Sequence, residues 1–361
     1  MNTLSHEETL KRLAQDKDLI AMDQSKGTHV KHMEEQFGIH VDPAAFDTVA
    51  SRVREMIRTT PNHGQSFAGR IEYIDEIMTP DGKPIESGLD HSQSVVICKL
   101  LGLDKATGLI PEKDMRAFPD QIEALARIGV HIVKLRSTFY PGMPQEDIVR
   151  GIEQFVELQR ALAKQGNVSA VHEPEFLHTD PRNTHSLEAN YLLMTQVLDG
   201  IVQRFRQQDV AHHPWLLKTS VAAPGKASGL PIEPEACGYA TMLAFDKAGF
   251  PDDLDIYLLS GGHEDANIRR ILQVIRGQRS DVKTSFSRTL LRQVYQQALD
   301  PQGDGHLVTT DSPVHADLGQ LELHRQGRLN QLARNGRYLP KYEDRHLWNA
   351  SSLPHPDGSG K

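Results

Sequence analysis

Eight short apolar segments recur along this chain, separated by stretches with helical periodicity, and that rhythm limits the fold more than any other feature. The segments are "DLIAMD" (18–23), "FAGRIEYID" (67–75), "SVVICKL" (94–100), "HIVKLR" (131–136), "NVSAVHEPE" (167–175), "PWLLKTS" (214–220), "LDIYLLSGG" (254–262) and "VKTSFSR" (282–288). Between them lie runs such as "DQIEALARIG", "DIVRGIEQFVELQRALAKQG", "EANYLLMTQVLDGIVQRFRQQ" and "DANIRRILQVIRGQ". Several end in or near Gly, a common helix stop. Eight strands with helical crossovers predict an α/β fold, a closed parallel (β/α)8 or TIM barrel, as a single domain. A doubly wound open sheet is the main competitor. The barrel is favoured because the number eight comes out without forcing and because no GxGxxG opens a strand-to-helix turn. The barrel, with an N-terminal helix, is expected over residues 1–340. Residues 341–361, ending "SSLPHPDGSGK", read as a polar tail expected to be mobile.

Composition removes several function classes. A formal net charge of −8 with no dense basic run argues against nucleic acid as a partner. No stretch approaches the roughly 20 apolar residues of a membrane span. The start, "MNTLSHEETLKRLAQDKDLIAMDQ", has no apolar signal-peptide core, and Cys98 and Cys237 read as reduced thiols, so a cytoplasmic location is expected. The 18 histidines raise the question of a metal site. The nearest clusters are "HVKH" (His29, His32) and "HTDPRNTH" (His178, His185), and neither has a His-Glu-x-x-His pattern. Solvent-facing histidines are the better reading, and no metal is expected.

In a barrel of this kind the chemistry sits where strands finish. The first strand offers Asp23, with Ser25 and Thr28 just beyond. The third offers Lys99, the fourth Lys134 and Arg136, and the fifth Glu173 and Glu175 around Pro174. The sixth offers Lys218, inside "PWLLKTSVAAPG". The seventh ends in Ser260-Gly261-Gly262 and the eighth in Ser287 and Arg288. Parallel strands are normally near-continuous apolar runs, and a buried charge without a partner is costly. Seven strands ending in polar groups therefore point to a shared site. Desolvation and neighbouring lysines lower an amine's pKa, and a neutral amine can attack a carbonyl to form a Schiff base. Asp23 and Glu173 are placed to move the protons of that cycle. Ser-Gly-Gly before a helix offers backbone N–H groups to a phosphate, and Arg288 adds a fork of donors.

At these residues the sequence resembles the class I fructose-bisphosphate aldolases, particularly their bacterial branch, from about residue 18 to about residue 300. "IAMDQSKGT" resembles the family's Asp-Glu/Gln-Ser-x-Gly-Ser segment, with Asp23 and Ser25 in place and Thr28 for the second serine. "VKLRS" resembles Lys-x-Arg, "VHEPEFL" resembles Val-Glu-Pro-Glu, and "WLLKTSVAAPG" resembles the segment with the Schiff-base lysine. "LLSGG" matches the phosphate loop, and "SFSR" resembles Ser-Tyr-Gly-Arg. The resemblance implies a metal-independent enzyme that cleaves fructose 1,6-bisphosphate to dihydroxyacetone phosphate and glyceraldehyde 3-phosphate; the alternatives are a Schiff-base aldolase for a related ketose phosphate and a non-catalytic binding protein on the same fold. Lys218 would form the imine, Glu173 would move protons during imine formation, and Asp23 would take the C4 hydroxyl proton. Lys134 would keep Lys218 deprotonated, with Arg136 and Glu175 beside them. Ser260, Gly261, Gly262 and Arg288 would hold one phosphate, and Ser25, Thr28 and Lys99 the other. A homo-oligomer is expected. The departures are "CKLLGLDKATG", where either Lys99 or Lys105 matches the family's third-strand lysine, and Lys26, which falls where the family has a small residue. Tyr338 and Tyr342 are loose matches to a terminal tyrosine found in many animal members.

Overall fold

The computed structural model describes residues 4–24, 32–178 and 183–344. Eight parallel strands close on themselves in chain order: β1 (Asp18–Ala21), β2 (Phe67–Tyr73), β3 (Val95–Lys99), β4 (Ile132–Phe139), β5 (Ser169–Phe176), β6 (Trp215–Thr219), β7 (Ile256–Leu258) and β8 (Lys283–Phe286). The seam is made by β1 and β8, with Leu19 opposite Ser285 and Ile20 opposite Phe286. Each strand falls within an apolar segment of the sequence or within three residues of it, and the barrel is the (β/α)8 architecture expected.

Helix α1 (His6–Leu13) comes first, capped by Ser5 and Glu8 in a reciprocal box. The others are α2 (Phe46–Thr59), α3 (Glu112–Arg127), α4 (Gln145–Gln165), α5 (Leu187–Gln207), α6 (Pro234–Ala248), α7 (Asp265–Arg276), α8 (Arg288–Leu299) and α9 (Ala316–Arg334). The connection from β2 to β3 departs from the repeat. It holds only short 3-10 turns, Ile74–Glu76 and Ser87–Leu89. Its sequence, "TPDGKPIESG", has the Pro, Gly and Asp of turns and no 3.6-residue apolar period. Among the described residues no helix is long and apolar enough to cross a membrane.

The core has two parts. A large outer shell lies between strands and helices, and a smaller cluster fills the barrel. The inner cluster takes alternate residues: Leu19 and Ala21 from β1, Ile71 from β2, Val95 and Ile97 from β3, Ile132, Val171, Leu216 and Tyr257 from the next four. Side chains on a strand alternate between faces, so i+2 shares the face of i. Leu4 and Leu13 close the N-terminal end, and the Leu13 carbonyl accepts from Tyr257 Oη at 2.9 Å and Lys283 Nζ at 3.0 Å.

Outside the barrel, β2 and α2 share a buried ion network. Glu72 accepts from Arg58 Nε and Nη2, both at 3.0 Å, and from Arg70 Nε at 3.1 Å. Arg58 also binds Glu76 at 2.9 Å, Glu76 pairs with Arg54, and Arg54 Nη2 donates to the Gln24 carbonyl at 3.2 Å. Glu72 is fully buried. Removing one partner of such a cluster strands the others' charge in a dry setting, at about 3–5 kcal/mol. Glu72→Gln is therefore expected to lower the unfolding free energy by about that amount. A shift of the denaturant midpoint, followed by circular dichroism, reads it; an unchanged midpoint would contradict the account.

Candidate active site

The alternation that fills the barrel also builds its open end. Continuing the inward parity from Ala21 reaches Asp23, and from Ile97 reaches Lys99. From Ile132 it reaches Lys134 and Arg136, from Val171 Glu173 and Glu175, and from Leu216 Lys218. On β8 it runs through Lys283, Ser285 and Ser287. Lys283 excepted, the charged residues of this set lie in the layer nearest the C-terminal ends of the strands, above mainly apolar layers. A cavity of about 260 Å³ opens there. It is lined by Asp23, Lys99, Lys134, Arg136, Glu173, Glu175, Lys218, Ser260, Gly261 and Arg288, with Gln24, His32, Ser285 and Ser287 at its edges.

The acidic and basic groups alternate through the site. Asp23 Oδ2 lies 2.6 Å from Lys134 Nζ. The Lys134 ammonium is also 2.8 Å from Glu173 Oε2, and that same oxygen is 2.7 Å from Lys218 Nζ. Lys99 donates to the Asp23 carbonyl at 2.9 Å, with its ammonium 3.7 Å from Oδ2. Arg136 pairs with Glu175 and approaches Glu173 Oε1 at 3.6 Å. Three carboxylates face five basic groups, a balance that suits an anionic ligand.

The protonation states separate two lysines that flank β5, Lys134 on β4 and Lys218 on β6. Burial pushes the Lys218 amine below the ordinary lysine value; Lys134 pushes the same way, while Glu173 and Asp23 oppose. Burial acts on Lys134 too, but Asp23 and Glu173 outweigh it and raise its pKa. Burial alone would raise both carboxyls. Lys134, Lys99 and Lys218 instead hold Asp23 well below the usual range, and Lys134, Lys218 and Arg136 hold Glu173 below it. Lys134 is thus a fixed ammonium between two carboxylates, and Lys218 is the amine biased towards neutrality. Of the influences that lower the Lys218 pKa, burial comes first and the charge of Lys134 second.

The phosphate-type half of the site is built by backbone shape. Gly261 and Gly262 have φ of 56° and 87°, left-handed values that favour glycine. Ser260 and Gly261 line the cavity, whereas Gly262, also expected there from the sequence, does not. Arg288 is the first residue of α8, so strand β8 delivers it to the mouth almost without a loop. Gln24 Nε2 donates to Ser287 Oγ across the seam.

Of the residues singled out from sequence, Ser25, Thr28 and Lys26, with His29, lie outside the described residues. Lys99 is in the cavity and Lys105 is on an exposed turn. Tyr338 is buried away from the cavity, donating to Glu343 at 2.7 Å, and Tyr342 packs at the core's edge. The histidine reading needs correction. His178 is buried and stacked on His263, and His32 borders the cavity. An aromatic partner two strands away leaves no local signal. Ser285 was also missed, although it shares the inward parity of Lys283 and Ser287. Nothing in the sequence marks Gln24 beyond its place next to Asp23.

A barrel with a buried lysine–carboxylate chain at its C-terminal mouth is a known setting for carbonyl chemistry. Residues 6–352 match the family model for class-I fructose-bisphosphate aldolase. Fructose-bisphosphate aldolase 2 of Caenorhabditis elegans is 26% identical over 298 residues, 79% of this chain and 79% of that protein. The non-muscle aldolase of Lethenteron camtschaticum is 23% identical over 339 residues, 90% of this chain and 87% of that protein. The solved fructose-bisphosphate aldolase of Plasmodium falciparum superposes with a TM-score of 0.74 at 17% identity, covering 94% of this chain and 99% of that one. That likeness concerns the fold. The chain belongs to the class-I fructose-bisphosphate aldolase family, and its activity is that of an aldolase, a lyase.

Charge neighbours make a measurable claim about Lys218. Replacing Lys134 with Met removes a cation that disfavours the Lys218 ammonium, and leaves Glu173 to Lys218 and Arg136. The Lys218 pKa should therefore rise, observable by NMR of the reductively ¹³C-methylated amine across a pH series. A fall, or no change in a folded variant, would show that Lys134 does not tune Lys218.

Proposed function

We propose that this enzyme cleaves fructose 1,6-bisphosphate reversibly, without a metal, through an imine on Lys218. The observation that carries the reading is a buried amine 2.7 Å from a buried carboxylate, at the base of a cavity bearing Arg288 and the Ser260–Gly261 turn. Neutral Lys218 attacks the substrate C2 carbonyl. Glu173 relays the proton that lets the carbinolamine lose water and become an iminium. Asp23 takes the C4 hydroxyl proton, the C3–C4 bond breaks, and its electron pair moves towards the iminium nitrogen. Glyceraldehyde 3-phosphate leaves as the aldehyde. The enamine regains a proton at C3, and water releases dihydroxyacetone phosphate from Lys218.

Lys134 holds Asp23 and Glu173 in line with the reacting carbons, and Arg136 holds Glu173 and Glu175. Arg288, Ser260 and Gly261 bind the phosphate of the half that stays on the lysine. Lys99, with Ser25 and Thr28, serves the other phosphate. The cavity's cations support an imine over a divalent metal, since Lys99, Lys134, Arg136 and Arg288 would repel one. A cytoplasmic location belongs to the same reading, supported by two buried free thiols, Cys98 and Cys237.

Borohydride with dihydroxyacetone phosphate should trap a covalent adduct on Lys218, and Lys218→Ala should abolish trapping. Peptide mapping decides it, and an adduct on another lysine would sink the assignment. Prolonged EDTA treatment should leave cleavage intact; activity lost to EDTA and restored by zinc would overturn the imine mechanism. Arg288→Ala should lower kcat/KM by roughly 10- to 150-fold, the worth of a hydrogen bond to a charged group at about 1.5–3 kcal/mol. The loss should be equal for fructose 1,6-bisphosphate and fructose 1-phosphate, because both keep that phosphate.

A further inference from the structure

Two buried histidines lie behind the phosphate half of the site, and the mechanism uses neither. The ring of His178, in the loop after β5, stacks on the ring of His263, which follows Gly262 in the loop after β7. Their centroids are 3.8 Å apart and their planes 15° from parallel. His178 is firmly held. Its Nδ1–H donates to the Pro224 carbonyl at 2.8 Å, and its own carbonyl accepts from Lys226 N–H at 2.9 Å. The loops after β5 and β6 are stitched further by Gly225 N–H to the His185 carbonyl at 2.9 Å and Ala227 N–H to the Asn183 carbonyl at 3.1 Å. His178 is thus a rigid platform on two loops.

His263 belongs to the turn that faces the ligand. Its N–H donates to the Ser260 carbonyl at 2.9 Å, which closes the turn. Its Nδ1 is buried and, among the described residues, meets no hydrogen-bond partner. A protonated imidazole carries N–H on both nitrogens. A proton on this Nδ1 would be buried without an acceptor, so the neutral ring with its proton on Nε2 is the form that fits. The stack therefore holds only as a neutral pair.

We propose that the His178–His263 stack is a positioning latch for the phosphate-binding turn, which clamps Ser260 and Gly261 while both rings are neutral and releases them in mild acid. This rests on the aldolase reading only for the identity of the phosphorylated ligand. Among the described residues, the charged groups facing the pair favour the neutral state. For His263, burial is the largest influence, followed by His178 and Arg288, and all three lower its pKa well below the ordinary value. Burial, His185, Lys226 and Arg288 lower His178, against the bond to Pro224. The carboxylate beyond them is Glu175, which acts on Arg288.

The sign follows. Rings released from the stack titrate near the ordinary value of about 6.5, and rings in the stack titrate lower. The latch is therefore at full strength above about 6.5 and weakens as pH falls, because the open form takes up protons first. Lys218 chemistry also slows in acid, but it slows alike whether or not the latch is present. The latch acts on substrate affinity.

The test compares wild type, His263→Phe and His263→Ala at about pH 7.5 and about pH 5.8, on either side of the ordinary histidine range. Phe keeps a flat ring on His178 but cannot titrate. For fructose 1,6-bisphosphate, His263→Ala should raise KM at the higher pH by about threefold to tenfold, the range a stacked ring pair supplies. The rise in KM between the two pH values should be about threefold smaller in His263→Phe than in wild type, with the kcat ratios alike. Substrate ionisation enters all three equally. Superimposable KM profiles for wild type and His263→Phe would overturn the latch.

Two further measurements need no turnover. In wild type, NMR of the imidazole nitrogens should find both rings neutral at about pH 7.5 and taking up protons over the same pH range in which substrate affinity falls. Inorganic phosphate should bind more weakly to wild type in acid, and less so to His263→Phe. Rings already protonated at about pH 7.5, or rings that stay neutral while affinity falls, would overturn the latch even if neither variant folds. A chain with both signatures but no cleavage of fructose 1,6-bisphosphate would overturn the substrate assignment and leave the latch standing.

Discussion

One oxygen of Glu173 lies within 2.8 Å of two lysine nitrogens, those of Lys134 and Lys218, and the rest of the site is arranged around that sharing. A buried lysine without a counter-ion loses its proton, and one with a private carboxylate keeps it. Lys134 has two carboxylates, Asp23 and Glu173, and stays charged. Lys218 has only a share in Glu173 and sits in an apolar strand, so desolvation prevails. The same dry interior gives opposite outcomes for two lysines because their partners are unequally distributed.

That distribution depends on parts of the fold distant from any substrate. Asp23 lies just past the end of β1, and the next residue is held at both ends. Arg54 from α2 donates to the Gln24 carbonyl, and the Gln24 side chain reaches Ser287 across the seam. Arg54 is fixed in turn by Glu76, within the network centred on Glu72. The ion cluster outside the barrel thus steadies the acid inside it.

Much of this was legible in the chain. The eight apolar segments, their spacing and the missing dinucleotide fingerprint pointed to a closed barrel, because a parallel strand buried on both faces must be apolar over most of its length. Lys134, Glu173 and Lys218 stood out because they break such runs near their ends. Parity then carries the prediction further: Ile132, Lys134 and Arg136 must share a face, so an apolar residue low in the barrel marks the inward direction for the charged one above it. Ser285 could have been found this way. The missing helix after β2 was legible in Pro, Gly and Asp content alone.

Other features were decided only by closure. Nothing local to "VHEPEFLHT" or "LLSGGH" says that His178 and His263 stack, since the contact joins loops 85 positions apart whose approach is set by the curvature of the sheet between them. The choice between Lys99 and Lys105 likewise needed the direction of β3, which carries Lys99 into the cavity and leaves Lys105 on a turn. The split between Lys134 and Lys218 is the clearest case. The sequence determined that both lysines lie at strand ends in an apolar setting, because strand patterning is a local property with a period of two residues. Which of them is charged was decided by the tertiary structure, because a pKa depends on the distances to carboxylates on other strands, and those distances exist only once the barrel has closed.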